Sequence, residues 1–145
     1  MKVLVGVEDA KSSQATLQAL TAQFVPKGTE VRILYVVAPI TYFAPPEMSA
    51  DYAPELEDQM KEGRQLVEEI ARSLLATGFK VSTAVRQGDV REVIIDSAAE
   101  WPADLILVGS HGRKGLQRFL LGSVAEFVAR HARCSVQIVR DPAHR

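Results

Sequence analysis

Cysteine is almost missing from this sequence. Cys134 is the one thiol in 145 residues, so no internal disulfide can form. It opens an apolar run and is expected as a buried structural thiol rather than a reactive one. No zinc-ligand spacing appears around it. An excess of charge of one sign is missing too. The net charge of −1 provides no electrostatic footprint for nucleic acid or an anionic membrane, and neither is expected as a partner. Long hydrophobic runs are absent, since no segment approaches the ~18–20 apolar residues of a membrane span. The opening stretch Val3 to Val7 is also too short for a signal-peptide core, so a cytoplasmic location is expected. Three motifs are absent as well. Without G-x-x-x-x-G-K-[ST] the chain is no P-loop NTPase, and without G-x-G-x-x-G after the first strand a dinucleotide dehydrogenase is disfavoured. No G-x-S-x-G elbow presents a nucleophile.

What remains is the composition of an ordinary globular domain, 47% hydrophobic and 24% charged. The length suits one domain over residues 1–145. Five short apolar runs alternate with four amphipathic segments. The runs are Lys2 to Val7, Glu30 to Val37, Lys80 to Arg86, Asp104 to Val108 and Cys134 to Arg140. Helical spacing is carried by Leu17, Leu20 and Phe24 within Ser12 to Val25, and by Leu56, Met60, Val67, Ile70 and Leu74 further on. Gly63 falls on that second apolar stripe, where it permits close packing. Asp89 with Glu92, and Ser123 with Glu126, have the spacing of helix caps. Strands alternating with helices imply βαβ units, hence a mainly parallel open sheet with helices on both faces. The third run alternates in polarity and suits a place near the sheet edge. Ala38 to Pro54, with its prolines and aromatics, fits no element. It is read either as a surface excursion or as a lid over a ligand.

Ligands of open α/β sheets bind beyond the carboxyl ends of the strands. Two segments lie there: Glu8-Asp9 after the first strand, and Gly109-Ser110-His111-Gly112 after the fourth. Gly122-Ser123 then opens the last helix, where amide groups and the positive end of the helix dipole favour an anion. Ser123 also reads as an ordinary N-cap. Arg113, Lys114 and Arg118 either neutralise phosphate or are solvated surface cations. His111 is read as a hydrogen-bonding loop histidine, and His131 as lying at the margin of the core.

These residues carry a resemblance to the universal stress protein family along essentially the whole chain. It rests on Val3-Leu-Val-Gly-Val7-Glu8, Ile33-Leu-Tyr-Val36, Gly88-Asp89 and the run from Asp104 to Arg113. The family's ATP-binding signature, G-x2-G-x9-G-[ST], is met by Gly109, Gly112, Gly122 and Ser123. The resemblance implies a Rossmann-like, adenine nucleotide alpha hydrolase-like sheet with strand order 3-2-1-4-5. It implies ATP, or the related ADP or AMP, as ligand, with Mg²⁺ as a companion ion, and a role in stress response or signalling. Phosphates are then expected on Gly109, His111, Gly112, Gly122, Ser123, Val124 and Ala125, next to Val108. Adenine is expected at Val36, and the nucleoside over Gly6, Val7 and Glu8.

The family usually has aspartate where this chain has Glu8, and serine where it has Ala10, so a ribose contact shifts or passes to Asp9. Ser135 replaces a proline that commonly opens the final strand. Family members typically pair that strand with a second copy, so a homodimer through Ser135 to Val139 is expected. Two other functions stand beside nucleotide-dependent signalling. One is slow ATP hydrolysis with Glu8 or Asp9 positioning Mg²⁺ or water, and the other is a nucleotide-free regulatory or scaffold module.

Overall fold

The computed structural model describes residues 1–38, 53–110 and 121–141. Along them run β1 (Lys2–Val7), α1 (Ala10–Gln23), β2 (Glu30–Val37), α2 (Ala53–Ala76), β3 (Lys80–Gln87), α3 (Val90–Glu100), β4 (Leu105–Gly109), α4 (Ser123–His131) and β5 (Ser135–Val139). The strands form one sheet in the order β3-β2-β1-β4-β5, with every pair parallel. This is the expected order. The segment expected as a long loop lies outside the described residues from 39 to 52. Ala53 and Pro54 already belong to α2, because a helix's first turn has amides to spare and tolerates proline.

Side chains alternate along each strand and so sort the core into two layers. Val3, Val5, Val7, Ile33, Tyr35, Leu105 and Leu107 pack with Leu20 of α1 and with Val67, Ile70 and Leu74 of α2. Leu4, Leu34, Ile106 and Val108 face Ile94 and Ala98 of α3 and Ala125 and Val128 of α4. Burial on both faces explains the unbroken apolar runs of β1 and β4. β3 is an edge strand and only half-buried, as its alternation requires. Gly63 is buried in α2 against the Tyr35 ring, where the small residue lets helix and sheet approach.

Several boundaries shift for local reasons. α1 begins at Ala10 rather than Ser12 because Asp9 caps it, its carboxylate accepting the Ser12 N–H at 2.6 Å. It ends before Val25 because proline at 26 disfavours helical backbone in the residue preceding it. Asp104 is not part of β4. Its carboxylate accepts the Lys2 N–H at 2.7 Å and its own N–H donates to the Lys2 carbonyl at 2.8 Å, pinning β4 to β1 at the amino ends. Cys134 precedes β5 and is half-buried rather than buried. Desolvation pushes its thiol pKa up, which keeps it protonated and unreactive. His131 is exposed at the end of α4, away from the core margin, with its ring stacked on Phe127 at 4.1 Å.

Asp89 caps α3 as its spacing indicates, accepting from the Arg91 and Glu92 N–H groups. The Arg91 guanidinium beside it holds the Asp89 carboxyl below the usual aspartate range, and the helix amides add to this. A lowered folded-state pKa means that the cap's contribution is complete above the unfolded aspartate value of about 3.9. The contribution fades as pH falls through the folded value. Asp89→Ala is therefore expected to cost about 1 kcal/mol at neutral pH. In urea melts the gap from wild type should close as pH drops below about 4, and a gap that persists there would contradict the assignment.

Candidate functional site

The chain winds from β1 outward through β2 to β3, then returns to place β4 on the other side of β1. That reversal opens a crevice at the carboxyl ends of β1 and β4. Its volume is about 520 Å³, inside the range of about 300–1,000 Å³ typical of small-molecule sites. Gly6, Val7, Glu8, Val36, Val108, Gly109, Gly122, Ser123, Val124 and Ala125 all line it. His111 and Gly112 lie outside the described residues, as do Arg113, Lys114 and Arg118.

Two backbone bonds assemble the glycine corner. The Ser110 N–H donates to the Val139 carbonyl at 2.8 Å, and the Ser110 carbonyl accepts the Gly122 N–H at 2.7 Å. Gly109 at the end of β4 and Gly122 at the mouth of α4 are thereby brought to one edge of the crevice. Gly122 itself is the N-cap, with extended backbone and no side-chain cap bond. This corrects the reading of Ser123 as the cap, since Ser123 is the first helical residue. Glu126, its expected partner, pairs instead with Arg130 at 2.9 Å. The physical consequence is that no side chain closes the first turn of α4, so its amides face the crevice. Such a helix mouth favours an anion.

The side of the crevice formed by β1 is built differently. Gly6 sits on the crevice floor, where a Cβ would stand 3.2 Å from Val108 Cγ1 and 3.7 Å from Ile94 Cδ1. A side chain there would fit tightly, and the Val108 methyl would have to give by a few tenths of an ångström. Glu8 lines the crevice. Asp9 does not, and its carboxylate is committed to the α1 cap. The expectation that a ribose or metal contact passes to Asp9 is thus corrected. The residue after a strand that starts a helix satisfies the helix first. Among the described residues no group of three or more His, Cys, Asp or Glu side chains gathers to hold a metal. Among the described residues, Glu8 is the one carboxylate that lines the crevice. No helix among the described residues is long and apolar enough to cross a membrane.

Sequence reasoning missed part of the lining. Ser12, Ser13 and Thr16 of α1, Gln59 of α2, and Val90 and Ile94 of α3 all border the crevice. The available signal was Ser13 and Thr16 at helical spacing with Leu20, hydroxyl residues on a stripe that otherwise reads as core.

The sequence pattern of the Universal stress protein family matches residues 1–140. Universal stress protein Sll1388 of Synechocystis sp. is 29% identical over 149 residues, covering 96% of this chain and 97% of its own. Among solved structures, the Methanocaldococcus jannaschii protein MJ0577 has a TM-score of 0.82 at 28% identity, covering 97% of this chain and 95% of its own. A universal stress protein family protein from Arabidopsis thaliana, solved with AMP bound, has a TM-score of 0.70 at 22% identity and covers 99% of this chain and 93% of its own. That last likeness speaks for the fold alone. A family pattern that matches nearly the whole sequence, on a sheet with the order the resemblance implied, means that this chain belongs to the universal stress protein family.

Proposed function

We propose that this protein binds ATP, or the related ADP or AMP, in the crevice between the carboxyl ends of β1 and β4. Its bound state then serves stress response or signalling in the cytoplasm rather than a metabolic reaction. The observation that carries the reading is the mouth of α4, opened by a glycine cap with no side chain and held beside Gly109. Phosphates rest there, with Gly112 completing the signature and His111 also expected at the phosphates, while the base lies at Val36 and the nucleoside over Gly6, Val7 and Glu8. Mg²⁺ accompanies the phosphates and meets Glu8. The glycine signature carried by Gly109, Gly112, Gly122 and Ser123 supports an adenine nucleotide as the ligand class. Calorimetric titration with ATP, ADP, AMP and cyclic AMP, each with and without Mg²⁺, tests this. Saturable heat with at least one of them is expected, and no heat at millimolar ligand would defeat the reading in favour of a nucleotide-free module.

The same reading includes a homodimer through β5. This strand is an edge of the sheet and only half-buried, and bare edges invite pairing. A two-fold axis beside β5 satisfies both copies at once. Analytical ultracentrifugation at micromolar concentration should show a species of twice the 15.9 kDa chain mass. A monomer alone would remove the dimer from the account.

A further inference from the structure

Among the described residues, α2 reaches the crevice through Gln59 alone. The course of the helix fixes what that residue meets. α2 ends at Ala76, and β3 begins at Lys80, which pairs with Glu30 at the amino end of β2. α2 therefore runs back against the strand direction, and its lower-numbered residues lie toward the carboxyl ends of the strands. Gly63 gives the register, since a Cβ there would overlap the Tyr35 ring. Gln59 stands four residues earlier on the same helix face, about 6 Å further along at 1.5 Å per residue. Val37 stands two residues beyond Tyr35 on the same face of β2, a step of about 6.6 Å. Gln59 is thus level with Val37, and it borders the crevice together with Tyr35, Val36, Val37 and Ala38.

Its surroundings leave this side chain open to a ligand. Gln59 is half-buried, so it keeps accessible surface at the rim. Its carboxamide makes no hydrogen bond among the described residues. It is also the one carboxamide that lines the crevice among them. A carboxamide presents a donor and an acceptor side by side. Adenine presents the complement, a donating 6-amino group beside an accepting ring nitrogen, and the two form a bidentate pair. Guanine carries an oxygen in place of that amino group, so the same pair cannot form.

We propose that the Gln59 carboxamide reads the base of the bound nucleotide and makes the crevice prefer adenine over guanine. This rests on the adenine-nucleotide reading, which puts the base at Val36, and adds to it the residue that chooses the base. A site built to hydrogen-bond a ligand group discriminates against the analogue that lacks it.

The test titrates ATP, GTP and purine riboside triphosphate, which lacks the 6-amino group, into wild type and Gln59→Leu. Wild type should bind ATP about 10-fold more tightly than either analogue. Gln59→Leu should lose about 10-fold for ATP and little for GTP, so the ratio between them falls by the same factor. Gln59→Met, with an unbranched chain of similar length, should behave alike. Both variants should melt within about 2 °C of wild type, as substitutions at half-exposed positions without partners do. Three results overturn the inference while leaving the nucleotide reading intact. They are wild type that binds ATP and GTP alike, unchanged ATP affinity in both variants, or equal losses for ATP and GTP, which mark a packing role. Wild type that binds no ATP would overturn both.

Discussion

Gly122→Val is expected to abolish adenine-nucleotide binding, raising Kd at least about 100-fold, which corresponds to about 2.7 kcal/mol. The fold should survive the change. The backbone at position 122 has φ −63° and ψ 156°, which any L-residue adopts without strain. Valine is a poorer N-cap than glycine, at a cost of about 1 kcal/mol. In a domain of this size that lowers the melting temperature by about 2–4 °C. Binding suffers far more, because two methyl groups stand at the helix mouth where phosphate oxygens meet the amides of α4. Calorimetry and thermal melts on the same preparation separate the two effects. Normal affinity in Gly122→Val would show that the ligand does not use this helix mouth.

The second large effect concerns stability. Gly63→Ala is expected to destabilise the protein, although alanine is the better helix former by about 1 kcal/mol. A Cβ at position 63 would overlap Tyr35 Cδ1 and lie 2.8 Å from Cε1. Tyr35 is a buried core residue on β2, so its ring has little room to retreat. Overpacking of this kind costs typically about 1–3 kcal/mol, and contact so far inside van der Waals distance belongs at the upper end of that range. Urea denaturation should show a lower midpoint for Gly63→Ala, with partial recovery when Tyr35→Leu is added. A Gly63→Ala protein more stable than wild type would mean that α2 stands further from the sheet than described. Tyr35 also borders the crevice, so displacing its ring is expected to weaken nucleotide affinity as well.

How much of this was legible in the sequence depended on whether local pattern or tertiary contact decided each feature. β1 and β2 were readable to the residue, because central strands buried on both faces are dense in apolar residues, here Val3 to Val7 and Ile33 to Val37. The glycine corner of the crevice was readable because close backbone approach leaves glycines at fixed spacing. Ser123 was misplaced by one position. Serine followed by Glu126 imitates a cap, while the bare glycine that performs the task carries no side-chain signal. Asp9 was ambiguous in principle, since an aspartate between a strand and a helix serves a cap or a ligand equally well. One 2.6 Å bond to Ser12 decides it. Ser13 was invisible as a lining residue because α1 periodicity marks a buried position without saying that a cavity lies beside it.

The central claim is that an adenine nucleotide lies across the carboxyl ends of β2, β1 and β4 with its phosphates on the mouth of α4. An amide-resolved NMR titration of the labelled protein with ATP tests this most directly. The account predicts that the largest shifts fall on Gly6, Glu8, Val36, Gly109, Gly122 and Ser123, with the amino-end residues Lys2, Glu30 and Asp104 unmoved. Shifts concentrated at the amino ends of the strands, or no shifts at saturating ATP, would contradict it.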